Sequence, residues 1–328
     1  MTATVRARAD DDLPLQVILG PCDDMRAEVF VRATPPAARG QDMRLEGQLA
    51  GPECRRAITL PVGASLIDLG AGETGLLAKA VLTEPAFWTP ELPNLYRLTA
   101  RLSAGGQAVA ATRRIGLRRS GVRGRSLWLE GRRWVPRGIA SDPRSCDLAA
   151  LHDADVAAVV ADPPESLLTA ADATGVAIVA VAETENGRPH DADALVERIA
   201  VWAMHPSVVL AVLPGAFADT RIAGVAAKAR RLKGTMLLAG VVAAAAAPPR
   251  EIPAGIDCMC VALDSERVPH DAWRDAAPAV PLIAWQRGAG AGHAGRTGCD
   301  RLQATLAAWG LADGRMHQPW DWAGYLVS

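Results

Sequence analysis

Two runs, Val176-Ala177-Ile178-Val179-Ala180-Val181 and Val208-Val209-Leu210-Ala211-Val212-Leu213, decide how the larger part of this chain is read. Residues 192–204, between them, read as a helix. A strand that is apolar at every position is buried on both faces, the condition of a parallel sheet wrapped in helices. The same alternation extends outward. Towards the N-terminus, strand 134–139 precedes helix 147–153, and strand 156–161 precedes helix 166–174. Towards the C-terminus come helix 216–232, strands 235–242, 258–263 and 281–285, helix 301–308, and a last strand near 316–322. Eight such units close a (β/α)8 barrel over residues 121–328. Units five and six read as thin, because Pro248, Pro249 and Pro253 stand where a helix belongs. A doubly wound sheet with fewer strands is the competing architecture.

Upstream the rhythm is different. Residues 15–19, 27–33, 43–49, 57–61, 76–82, 96–103 and 109–115 alternate or carry β-branched side chains between Gly, Pro and Asp clusters. Ser103-Ala104-Gly105-Gly106 is a hairpin signal between the last two. Short strands without a long helix predict an immunoglobulin-like β-sandwich over residues 13–120. Residues 1–12 read as a disordered tail. The expected fold class is multidomain, β plus α/β: the sandwich, then a small TIM-type barrel.

Composition narrows the partners. With 35 Lys plus Arg against 36 Asp plus Glu, the net charge of −1 supplies no global field for nucleic acid or an anionic membrane. The N-terminal stretch lacks the apolar core of a secretory signal. The longest apolar run, 236–247, is short of a bilayer span. A cytoplasmic protein is expected. The six cysteines (Cys22, Cys54, Cys146, Cys258, Cys260, Cys299) contain no C-x-x-C pair and are expected as reduced, buried thiols. The six histidines are dispersed, so no metal site and no cofactor is expected.

Three segments at the change of rhythm stand out together: Phe87-Trp88-Thr89-Pro90-Glu91-Leu92-Pro93-Asn94-Leu95-Tyr96-Arg97-Leu98, then Arg114-Ile115-Gly116-Leu117-Arg118, then Leu127-Trp128-Leu129-Glu130-Gly131-Arg132-Arg133-Trp134-Val135-Pro136-Arg137-Gly138. Pro90 and Pro93 fix an extended entry into a strand, and Trp88 and Tyr96 can plug the end of the sandwich. In order and spacing they resemble the hinge of glycoside hydrolase family 2, the β-galactosidases, β-glucuronidases and β-mannosidases. Asp172-Ala173-Thr174-Gly175-Val176, Trp202-Ala203-Met204-His205-Pro206-Ser207-Val208-Val209 and Pro281-Leu282-Ile283-Ala284 are similar to that family's helix-to-strand junction, strand four and strand seven. The resemblance covers roughly residues 80–290. It implies retaining hydrolysis of glycosides, with one carboxylic acid as proton donor and a second carboxylate as nucleophile.

Both acids are missing. Counted from His205, the acid/base position is Ala216, and a methyl group cannot protonate a leaving oxygen. Counted from Pro281, the nucleophile position is Gln286, a neutral amide that cannot form the glycosyl ester. The Arg and His that the family carries after strand two are replaced within Ala157-Ala158-Val159-Val160-Ala161-Asp162-Pro163-Pro164. The jelly-roll domain that the resemblance implies is not expected ahead of the sandwich. The expectation is a degenerate member without the family's ordinary chemistry.

Other acids fall just past predicted strands, at the end where barrel enzymes work: Asp142, Glu183, Glu185, Asp264, Glu266 and Asp321. Glu183 and Asp142 are the residual catalytic candidates, and a solvated polar rim is the plain alternative. Trp285, Trp320 and Trp322, with Gln286 and Asp321, form a candidate glycan cup, because indole faces stack on sugar rings. Against it, Trp320 and Trp322 could simply alternate in a terminal strand. Gly290-Ala291-Gly292-His293-Ala294-Gly295, with Asp313 following, matches a dinucleotide fingerprint, but it sits far from a first βαβ unit and reads as a loop over the barrel mouth. Arg113, Arg114, Arg118, Arg119, Arg123, Arg125, Arg132 and Arg133 concentrate basic charge between the two parts, as a binding surface or as solvated strand faces. The function expected is a pseudoenzyme subunit that binds a glycan or a protein partner. A hydrolase with displaced carboxylates and a purely structural assembly protein are the alternatives. The oligomeric state is left open.

Overall fold

The computed structural model describes residues 13–34, 43–72, 75–104, 107–183, 191–263, 268–276, 278–288, 295–312 and 320–328. The chain divides into two compact units, Met1–Leu117 and Arg118–Ser328.

The first unit is a sandwich of two four-stranded sheets. One contains β1 (Leu15–Cys22) and β2 (Arg26–Ala33). The chain then enters the other sheet with β3 (Arg44–Glu53) and β4 (Val62–Ser65). It returns with β5 (Ile67–Gly72) and β6 (Gly75–Thr83), and ends in the second sheet with β7 (Leu95–Ala104) and β8 (Gln107–Ile115). The sheet orders are β1-β2-β6-β5 and β4-β3-β7-β8, and the neighbours pair antiparallel. Along β2 and β6 buried positions alternate with partly exposed ones, so Val29, Val31, Ala78 and Ala80 face the core. The segment leading into β7 closes one end. Trp88 and Tyr96 are fully buried, the Trp88 N–H donates to Leu117 O at 2.6 Å, and the Tyr96 hydroxyl accepts from Ala86 N at 2.8 Å.

The sequence reading placed a strand at 57–61, but residues 54–61 form no strand, and Ile58 and Leu60 lie open to solvent. The strands here are instead the glycine-containing β4 and β5, which period-two apolar patterning does not reveal. Gly105 and Gly106 of the expected hairpin lie outside the described residues, while the strands on either side pair in register, Ala104 opposite Gln107.

The second unit begins with a small antiparallel sheet of β9 (Ser120–Arg123), β10 (Ser126–Leu129) and β11 (Arg132–Trp134). Pro136 breaks what reads in sequence as one strand, 134–139, into β11 and the first barrel strand, β12 (Arg137–Ala140). The barrel continues through β13 (Ala157–Ala161), β14 (Ile178–Val181), β15 (Val208–Leu213), β16 (Leu237–Ala243), β17 (Cys258–Leu263), β18 (Leu282–Gln286) and β19 (Gly324–Val327). All neighbours are parallel, and β19 closes onto β12. Helices α1 (Leu148–Asp153), α2 (Glu165–Thr174), α3 (Ala192–Ala203), α4 (Thr220–Ala229) and α5 (Arg296–Gly310) cover the outside.

Residues 244–257, with their three prolines, hold no helix, and between β17 and β18 the described residues hold a single 3-10 turn, Asp271–Trp273. The last strand follows Trp320 and Trp322 instead of containing them. Their spacing of two imitates a strand, but the run that pairs with β12 and β18 is Gly324-Tyr325-Leu326-Val327.

Register separates the two faces of the barrel wall. Ala158, Ile178, Leu213, Leu238, Met259, Ala284 and Val327 pack outward with the helices. Their neighbours Val159, Val179, Val212, Ala239, Cys260 and Leu326 therefore face inward. Gly138 shows how tightly the inside is filled: a Cβ there would lie 2.6 Å from Leu326 Cδ2 and 2.9 Å from Val159 Cγ2.

Candidate functional site

In a parallel barrel the loops after the strands form the working face. Ala216 follows β15 in a tight turn that begins with Gly215 at φ +82°, a conformation glycine adopts without strain. The turn folds over the outside of the wall. Ala216 is 1% exposed and belongs to the core beneath α3 and α4. It packs beside Gly240, whose register partner is the outward Leu213. A Cβ on Gly240 would meet the Phe217 ring at 2.4 Å and the Ala216 methyl at 3.2 Å. The position that the resemblance implies for a proton donor is thus a packed methyl group.

Gln286 ends β18. Its register partners are Leu263 and Val327, both in the core beneath α5, so its side chain shares that outward face. Trp285 pairs with Ala262 and Leu326 and stands on the inner face at the mouth. Its indole N–H donates to Ser328 Oγ at 3.1 Å, and the Arg287 guanidinium lies 4.6 Å from its ring centre. Below it on the same face, burial pushes the Cys260 thiol up to about 12, and the nearby Arg287 charge offsets part of the rise. It is therefore no nucleophile at neutral pH.

The remaining acids are used locally or stand alone. Asp142 accepts from Arg144 N at 2.9 Å and Ser145 Oγ at 3.2 Å, which makes it the cap of its own turn. Asp162 is paired with Arg198 of α3. Glu183 is exposed and forms no ion pair among the described residues. Glu185, Asp264, Glu266, Asp313 and residues 290–294 lie outside the described residues. Gly295 is the N-cap of α5.

Trp320 and Trp322 do not join Trp285. They precede β19, at the opposite end of the strands, and are 5% and 6% exposed. Their rings meet edge to face at 5.0 Å, and Trp320 Nε1 donates to Trp273 O at 3.1 Å. Asp321, between them, is paired with Arg133 at 3.6 Å. The expected cup is therefore divided: Trp285 at the mouth, the other two in the outer core. No group of three or more His, Cys, Asp or Glu that could hold a metal occurs among the described residues. No helix among them is long and apolar enough to cross a membrane.

A buried polar constellation joins three side chains of the segments quoted above. Asp172, at the end of α2, accepts from Ser207 N at 3.0 Å, from Ser207 Oγ at 2.6 Å, and is 2.7 Å from His205 Nδ1. Arg118 donates to Pro206 O and to Val208 O, the latter at 2.8 Å, and to Ser120 Oγ at 3.1 Å. Burial lowers the Arg118 pKa to about 10, and the Asp172 charge works in the opposite direction. Ser207 bonds the carboxylate, not the imidazole, and is fully buried, so the arrangement is no nucleophile–base pair. It ties α2 to the start of β15 at the face where barrels keep stability determinants. The spacing of Asp172, His205 and Ser207 was legible; that all three converge on one buried carboxylate needed the fold.

Residues 21–118 match the profile of the family described as Glycosyl hydrolases family 2. No curated protein matches the chain in sequence. Among solved structures, the chain is similar to β-glucuronidase from Bifidobacterium dentium complexed with coumarin-3-O-glucuronide (13% identity, TM-score 0.61), covering 95% of this chain and 59% of that one. It is also similar to β-glucuronidase from Ruminococcus gnavus in complex with D-glucaro 1,5-lactone (13% identity, TM-score 0.62; 95% and 60%). A third is β-D-glucuronidase from Dictyoglomus thermophilum (17% identity, TM-score 0.54; 76% and 47%). The chain spans 47–60% of the length of these structures. The profile of that family thus matches the sandwich, and the likeness to these solved structures shows the fold of nearly the whole chain.

Proposed function

We propose that the chain is a catalytically silent family 2-like protein that serves as a glycan-binding or partner-binding subunit. The observation that carries this reading is the burial of Ala216 in the outer core, where even a carboxyl group would not face a substrate. Gln286, on the outward face of β18, supports it. Retaining hydrolysis needs two carboxyl groups about 5–5.5 Å apart. Of the two residual candidates, Asp142 is held in its turn and Glu183 stands without an ion pair among the described residues. Trp285 is itself only 7% exposed, with Arg287 over its ring, so a sugar would meet this indole at the mouth only by displacing the guanidinium.

Purified protein is expected to release no nitrophenol from aryl β-glycosides, and oligosaccharide is expected to change its tryptophan emission. The change should be absent in Trp285→Phe. An unaltered spectrum at millimolar sugar removes the mouth as a binding site. A second reading, a glycoside hydrolase with displaced carboxylates, rests on the exposed Glu183 just past β14, which has no ion pair among the described residues. Turnover that disappears in Glu183→Gln would select it.

A further inference from the structure

The sheet β9–β10–β11 has one buried and one open face. Leu127 and Leu129 are buried, while Trp128 points the other way. Register places Gly121 and Arg133 directly opposite Trp128, and Arg123 opposite Ser126, so Gly121, Arg123, Ser126, Trp128 and Arg133 share the open face. The Arg123 guanidinium sits 4.6 Å from the Trp128 ring centre. Arg133, on the other flank, is exposed and among the described residues is paired at a long 3.6 Å with Asp321, whose carboxylate is 82% exposed. Such a pair contributes little and exchanges readily with a competing anion. Glu130 is occupied by Arg119. The indole is half-buried, with its Nε1 out of contact with solvent, and beside it a Cβ on Gly121 would meet nothing within 4 Å.

We propose that this face binds a carboxylate-bearing polysaccharide, with Trp128 as the stacking platform and Arg123 and Arg133 as the charge contacts on its two sides. Planar guanidinium groups match carboxylates through paired N–H donors, and an indole matches the apolar face of a sugar ring. The two arginines sit on the outer strands and are offset by two residues along them, so their backbones are ~12 Å apart at the usual strand spacing and rise. An acidic chain with neutral units between its charges can satisfy both.

Size decides against a protein partner. Strands of 4, 4 and 3 residues offer a face of ~200 Å², whereas a stable protein interface covers about 800 Å² on each side. Single-stranded nucleic acid needs successive stacking rings along several nucleotides, and this face offers one indole. The proposal is independent of the barrel mouth.

The test is titration of the full chain with polygalacturonate, its methyl ester, poly-L-glutamate and poly(U), at low and high salt. Polygalacturonate is expected to bind, to weaken as salt rises, and to lose about tenfold in affinity in Arg123→Ala and again in Arg133→Ala. Both side chains are exposed, so these variants should melt as wild type does. The methyl ester should bind at least tenfold more weakly. Unchanged affinity in the double variant overturns the proposal, as does equal or tighter binding of poly-L-glutamate or poly(U). Loss of polygalacturonate binding in Trp285→Phe, with retention in the double arginine variant, would move the contact to the mouth and overturn it as well.

Discussion

Placing glutamates at positions 216 and 286 should not produce an enzyme. In Ala216→Glu the new carboxyl group would enter a site that is 1% exposed, among the apolar side chains under α3 and α4. A glutamate with an ordinary pKa near 4.3 must take up a proton to be buried there, which at pH 7 costs about 3.7 kcal/mol. Crowding against Phe217 and Gly240 adds about 1–3 kcal/mol. Together these approach 5–6 kcal/mol, and for the unit Arg118–Ser328 each kcal/mol is worth about 2–4 °C. Thermal melting of Ala216→Glu should therefore fall by at least ~10 °C at pH 7. The folded-state pKa of this group is raised, so the folded protein holds more protons and the loss grows as pH rises above ~4.3. Part of the deficit should return at pH 4.5. The assay pairs melting curves at the two pH values with nitrophenol release by Ala216→Glu/Gln286→Glu. A double variant that melts like wild type and turns over aryl glycosides would refute the placement of Ala216 in the outer core.

Asp172→Ala should cost about 3–5 kcal/mol in a urea titration, since it strips partners from His205 and Ser207 and leaves the buried Arg118 charge unbalanced. Asp172→Asn, which keeps an acceptor, should cost less. Gly138→Ala should lower stability by about 1–3 kcal/mol through overlap with Leu326 and Val159, read as a shifted denaturation midpoint at unchanged slope. A thiol reagent should label half-buried Cys22 and Cys54 in the native protein, and Cys146 more slowly because burial raises its pKa, with fully buried Cys258, Cys260 and Cys299 reacting only on unfolding.

The architecture was legible wherever a segment's pattern agreed with its surroundings. The doubly buried β15 is apolar at each of its positions, and Trp88 and Tyr96 close the sandwich as their setting between Pro90 and β7 implied. Three prolines announced the missing helix after β16. Legibility failed where one pattern served two structures. Trp320 and Trp322 alternate like a strand, yet their large rings fill the space between the 3-10 turn and α5, and this moved an expected ligand contact to the wrong end of the barrel. Counting along the chain points to Ala216 and Gln286, but counting carries no face. Only the ladder partners Leu263 and Val327 reveal which way Gln286 stands. Likewise Asp142 is an acid past a strand by sequence, and the cap of its own turn by geometry.

The edge-to-face pair of Trp320 and Trp322 has an optical consequence. Two indoles 5.0 Å apart with planes inclined at 74° have strongly coupled transition dipoles, which should give a two-signed exciton band in circular dichroism. The pair adjoins β19, the strand that seals the cylinder, so the band reports closure itself. Its disappearance ahead of the helical signal on heating would mark the seam between the first and last strands as the place where this barrel begins to open.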